Sequence, residues 1–137
     1  MKITIEAEVH APLAVVWDAW VTPDDITQWN FALDSWCCPN ATIDLRVGGR
    51  FNYRMEAKDG SMGFDFEGTF TKINPRQLIE YVMDDRRTVT IDFKETNRGV
   101  RVIETFDPED IHAAEQQRQG WQNILDQFKR HVESKLS

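Results

Sequence analysis

From Trp121 onward, apolar side chains recur at Leu125, Phe128, Val132 and Leu136, which lays one apolar stripe down a helix. Lys129, Arg130, His131 and Lys135 crowd its last turns, where the helix macrodipole favours cations. Upstream, Asp107-Pro108-Glu109-Asp110 reads as an N-cap, a proline at the first helical position and an acidic first turn. The predicted helix therefore runs from there to Leu136, about 28 residues and roughly 40 Å at 1.5 Å per residue. A stripe of that length must be buried, and no second long helical pattern occurs in the chain to bury it. The remaining residues must wrap this helix.

The stripe changes character along its length. Its C-terminal half carries large side chains, whereas Ile111, Ala113, Ala114, Gln117 and Gly120 occupy the first half. A mid-helix glycine costs about 1 kcal/mol relative to alanine, so Gly120 needs a reason. Close approach of a strand or ring is the default; slack space over the small and amide side chains is the alternative. The second reading makes the first half of the helix a candidate pocket wall.

What precedes the helix is mostly strand. Ile3, Ile5, Ala7 and Val9 alternate with Lys2, Thr4, Glu6 and Glu8, the pattern of a half-buried strand. Ala11-Pro12 opens a short helix with Val16, Trp17 and Trp20 facing inward, and Thr22-Pro23-Asp24-Asp25 opens a second that ends near Trp29. Residues 30–40, with Trp36, Cys37, Cys38 and Pro39, show no period and read as a loop folded over something. From Ile43 to Phe106 short alternating runs follow one another, broken at Gly48-Gly49, Asp59-Gly60, Asn74-Pro75 and Thr96-Asn97-Arg98-Gly99. Links this short admit only an antiparallel meander, because parallel strands need long crossovers. A sheet that covers so long a helix must curl, with Gly48, Gly49, Gly63 and Gly68 as bend points. The predicted architecture is α+β, a helix-grip: a curved antiparallel sheet of about six or seven strands on a long C-terminal helix, with two short helices after the first strand.

Composition narrows the function classes. At 137 residues the expectation is one domain spanning 1–137. A net charge of −7 disfavours nucleic acid as a partner, and no apolar run is long enough for a membrane span. The two cysteines, Cys37 and Cys38, are adjacent and make no disulfide framework, which suits a cytoplasmic location.

The order of elements, together with particular residues, resembles the START-like (SRPBCC) superfamily. Within it, the resemblance is to the branch named after the activator of the heat-shock-protein-90 ATPase, in its uncharacterised bacterial form. The residues that carry it are Ala11-Pro12 with Val16-Trp17, Trp29, the run from Asp44 to Phe51 through Gly48-Gly49, Gly68, and Gly120-Trp121-Gln122-Asn123-Ile124-Leu125. The resemblance implies a cavity between sheet and C-terminal helix, opening near the short helices. Relatives bind lipids, sterols, polyketides or phenolics; some are cyclase-like enzymes, and the founding member is a co-chaperone with an additional N-terminal domain. Some bacterial relatives carry a histidine after the tryptophan that matches Trp36, where this chain has Cys37.

No metal ligand set, cofactor fingerprint or catalytic constellation is expected. His112 and Glu115 lack the remainder of a zinc motif. Asp65 and Glu67 lie on the strand face opposite Phe64 and Phe66 and are expected in water. Strand parity leaves Glu80 and Glu104 open, either of them able to point inward and pair with Arg46 or Arg54. The reading that results is binding of a small, largely apolar ligand without chemistry. Trp29, Trp36, Phe51, Tyr53, Phe64, Phe66, Tyr81 and Trp121 are the expected walls, with Tyr53 and Gln117 orienting the ligand. A module that binds a protein partner is the first alternative and a cyclase- or hydrolase-like enzyme the second.

Overall fold

The computed structural model describes residues 1–136. Strand β1 (Ile3–Val9) leads into helices α1 (Leu13–Val21) and α2 (Pro23–Trp29). Six strands follow: β2 (Trp36–Ile43), β3 (Arg50–Ala57), β4 (Gly63–Asn74), β5 (Leu78–Met83), β6 (Thr88–Thr96) and β7 (Gly99–Phe106). Helix α3 (Ala114–Ser134) closes the chain. All seven strands form one antiparallel sheet in the order β1-β7-β6-β5-β4-β3-β2. The meander β2–β7 is thus sealed at its far side by the first strand of the chain. This is the expected α+β helix-grip architecture.

Alternation decides which side of the sheet is dry. Ile3, Ile5 and Val9 of β1, Val89, Ile91 and Phe93 of β6, and Val100, Val102 and Phe106 of β7 are all buried. The helices pack against them with Val16, Trp17 and Trp20 of α1, Ile26 and Trp29 of α2, and Leu125, Phe128 and Val132 of α3. Trp20, Trp29 and Phe128 meet with ring centroids 4.8–4.9 Å apart, joining the three helices at one point. The indole Nε1 of Trp29 donates to the Ala19 carbonyl at 3.0 Å, so this buried ring keeps its polar atom satisfied. Asp25 of α2 receives His131 Nε2 at 2.8 Å and Lys135 Nζ at 2.6 Å from the end of α3.

Three expectations are corrected. The long helix begins at Ala114 instead of following Asp107 as its N-cap. Asp107 is held by Lys2 Nζ at 2.8 Å and by the Thr88 amide and hydroxyl at 2.9 and 2.8 Å, so it cannot cap a helix. Those bonds, the Lys2 contact foremost, hold its carboxyl down at about 2. Residues 36–40, expected as part of a loop, instead belong to the edge strand β2 on β3. The register shift between Cys37 and Asn40 brackets Pro39, and an edge strand tolerates the missing donor. Residues 44–47, expected to continue a strand up to the Gly48-Gly49 bend, already turn, with Arg46 Nε on Asp44 Oδ2 at 2.8 Å. At Gly68 the sheet leaves no room for a side chain: a Cβ there would lie 2.6 Å from the Val82 carbonyl oxygen and against the Phe51 ring.

The way the helices lie leaves one part of the dry face uncovered. Helix α3 lies closest to β1, and α2 to β2. Arg118 Nη1, Gln122 Nε2 and Lys129 Nζ reach the β1 carbonyls of Thr4, Glu6 and Glu8 at 2.9, 3.2 and 2.7 Å. Strands β3, β4 and β5 therefore face the first half of α3 across a gap that side chains must line.

Candidate functional site

The gap is a cavity of about 280 Å³. Its floor is the inward face of β3–β5, with Tyr53, Met55, Phe66, Phe70, Ile79 and Tyr81. Trp20, Trp29 and Asn30 close one end, Trp121, Ile124 and Gln117 of α3 form the roof, and Phe64 stands at the mouth, 48% exposed. The aromatic walls support one another. Phe66 meets Tyr81 edge-on at 6.2 Å and Trp121 at 6.0 Å, and Trp121 stacks flat on Phe106 at 4.1 Å and 7°.

Of the walls expected from sequence, Trp29, Tyr53, Phe64, Phe66, Tyr81 and Trp121 line this space. Trp36 and Phe51 do not. Trp36 packs on the outer ring of Phe64 at 5.9 Å. Phe51 is fully buried behind the wall, against Tyr53, Phe70 and Tyr81 at 4.7–5.3 Å. Parity puts both on the right strand face, but Trp36 stands at the opposite end of β2 from Ile43, the β2 residue that lines the cavity, and Phe51 lies near the start of β3. Gln117 is also at the wall, yet its amide is fully engaged. Its Oε1 accepts from the Glu109 amide at 2.8 Å, and its Nε2 donates to the carbonyls of Glu109 and His112 at 3.1 and 2.8 Å. It ties the segment 109–112 to the first turns of α3, the job that capping side chains do at other helices. Its hydrogen-bonding capacity is thus spent on the protein's own backbone.

The sequence reading did not place Glu104 in the site, and it is the most unusual residue there. It lines the cavity at 6% exposure, and no hydrogen bond or ion pair to its carboxyl occurs among the described residues. Neither Arg46 nor Arg54 reaches it: they pair with Asp44 and with Glu56 and Asp65. Glu80 points the other way, to the Thr71 hydroxyl at 2.8 Å. Burial pushes the Glu104 carboxyl up to about 8. Burial likewise raises the phenols of Tyr53 and Tyr81, and Glu104 adds to the effect at Tyr81. No buried polar side-chain atom among the described residues is sealed off without a partner, so these oxygens open onto the cavity.

The remaining charged groups at the wall are occupied. Arg87 Nε bonds Asp85 Oδ2 at 2.7 Å, and Glu109 is paired with the His112 ring. Cys38 is buried, its thiol pushed up to about 11 by desolvation, and is an inert neighbour of Tyr53. Among the described residues no group of three or more His, Cys, Asp or Glu is brought together as a metal site. Nor is any helix there long and apolar enough to cross a membrane.

Residues 10–133 match the family described as activator of Hsp90 ATPase homolog 1-like protein. The fold is similar to the solution structure of an AHSA1-like protein from Aeromonas hydrophila, at 49% identity and a TM-score of 0.92. That match covers 98% of this chain and 93% of the other. A protein from Cytophaga hutchinsonii is similar at 43% identity and a TM-score of 0.84, covering 98% and 94%. A protein from Chromobacterium violaceum shares the fold at 21% identity and a TM-score of 0.82, covering 95% and 96%. No functionally curated protein matches the chain.

Proposed function

The chain belongs to the activator of Hsp90 ATPase homolog 1-like family of the START-like (SRPBCC) superfamily, and from that premise we propose that it binds a small, largely apolar molecule between β3–β5 and α3, without reacting it. The observation that carries this reading is a space walled by aromatic side chains in which the oxygens of Glu104, Tyr53 and Tyr81 have no protein partner among the described residues. Apolar walls supply affinity at about 25 cal/mol per Å² buried, and a few convergent polar atoms fix orientation. Glu104 has no second free carboxylate or imidazole beside it, since Glu109 is paired with the His112 ring, and burial disfavours ionisation of the neighbouring Tyr53 and Tyr81 phenols. Acid–base catalysis needs a proton acceptor as well as a donor.

Trp20, Trp29 and Trp121 all line the space, so tryptophan emission reports its occupancy. Titration with flavonoids, sterols, fatty acids and arylalkylamines is expected to give saturable quenching by at least one class. Native mass spectrometry of freshly purified protein is expected to show a small co-purifying molecule. A flat response to every class, with no adduct, overturns the pocket reading in favour of a module that binds a protein partner.

A further inference from the structure

Glu104 sits in β7 directly between Ile5 of β1 and Ile91 of β6, and both isoleucines are buried. On structural grounds that position calls for another β-branched apolar residue. A carboxyl there costs stability, because burying an ionised group without a partner is far more expensive than burying an apolar one. The cost is left uncompensated by the protein.

The groups that face Glu104 across the cavity can be taken element by element. β3 and β5 offer the Tyr53 and Tyr81 phenols, and the β5–β6 turn offers Arg87, already neutralised by Asp85. The segment before α3 offers Glu109, the end of α2 offers Asn30, and α3 itself offers only Gln117. No free cation faces the carboxyl, so a carboxylate ligand would meet like charge. The surrounding ring faces, by contrast, attract a cation through their quadrupoles. A chain of net charge −7 also draws cations towards itself.

We propose that the cavity takes an otherwise apolar amine, its ammonium group received by Glu104 and its hydrocarbon or aryl body packed on Phe66, Tyr81 and Trp121. The proposal rests on the pocket reading above and names the ligand class for it. Its proton balance is explicit. In the empty cavity at neutral pH the carboxyl holds its proton. Entry of the ammonium converts it to a carboxylate paired with that cation, and one proton leaves to solvent.

The test is isothermal titration calorimetry at pH 7 in two buffers of different ionisation enthalpy. The probes are tryptamine, its alcohol analogue tryptophol, and the indolepropionate anion. Tryptamine is expected to bind at least about tenfold more tightly than tryptophol, a difference of about 1.4 kcal/mol. Its apparent enthalpy is expected to differ between buffers by close to one released proton. In Glu104→Gln, its fold checked by circular dichroism, both the preference and the proton release are expected to vanish. Tryptophol or indolepropionate binding as tightly as tryptamine, or a preference that survives in Glu104→Gln, overturns the proposal and leaves the pocket reading standing. Failure of all three probes to bind overturns the amine proposal, and the pocket reading falls with it only where the flavonoid, sterol and fatty-acid titrations are flat as well.

Discussion

Replacing Gln117 by leucine removes an amide on which the Glu109 amide and the Glu109 and His112 carbonyls depend. Leaving such groups unpaired costs about 1–3 kcal/mol, so Gln117→Leu is expected to melt several degrees below the parent. Thermal melts by circular dichroism check this. Unchanged melting would show that water replaces the amide at no cost. Glu104 sets a second expectation, this time in pH. Its carboxyl ionises near 4.5 in the unfolded chain and near 8 in the fold. Between those values unfolding releases a proton, so stability falls as pH rises, by up to about 1.4 kcal/mol per unit, and levels off above the upper value. Glu104→Gln, which cannot ionise, is expected to flatten this slope, and parallel melts at pH 5 and pH 8 measure it. Equal slopes in parent and variant would mean that the carboxyl is already ionised in the folded protein.

Helix α3 carries the next two expectations. A Cβ at Gly120 would meet nothing within 4 Å, so the glycine is not there for the close approach that its mid-helix position suggested. Gly120→Ala is therefore expected to raise stability by up to about 1 kcal/mol, readable as a higher denaturant midpoint with unchanged slope. The next residue, Trp121, is half-buried, stacked on Phe106, and not sealed beside Leu125 and Phe128 as the apolar stripe implied. Trp121→Ala should cost less than the 3–5 kcal/mol (about) of a fully buried tryptophan and should blunt ligand-induced quenching. The elements that were legible in sequence share a cause. Strand β1, the hairpins from β3 to β7 and the C-terminal half of α3 each have one wet and one dry face, which writes a period into the residues. What was not legible lacks that contrast. Strand β2 is an edge with a proline, and Asp107, which reads as an N-cap, is taken up by bonds from Lys2 and Thr88 that lie far apart in sequence. In the site, aromatic residues announced the wall. Glu104 was ambiguous because strand parity gives a side chain's face only once its neighbours' faces are known.

At the scale of the whole molecule, the sheet has two free edges and each is blunted. On β2, Pro39 and the register shift interrupt the ladder. On β1, the outward carbonyls of Thr4, Glu6 and Glu8 are covered by Arg118, Gln122 and Lys129, so a second sheet finds no row of acceptors to extend. Deleting residues 1–9 would uncover both β7 and the underside of α3. Such a chain is expected to lose its cooperative transition in calorimetry and to aggregate. A truncated protein that still melts sharply would show that the meander and helix are stable without their seal. The same pairing has a consequence for how the protein is born. Among the seven strands β1 leaves the ribosome first, yet its partner β7 lies about 90 residues later and the helix that covers it follows β7. At synthesis rates of about 5–20 residues per second, it waits on the order of 5–20 s with no native neighbour. Through that interval the alternation of Lys2, Thr4, Glu6 and Glu8 with its apolar residues keeps it soluble. The fold closes only when the end of the chain comes back to meet its beginning.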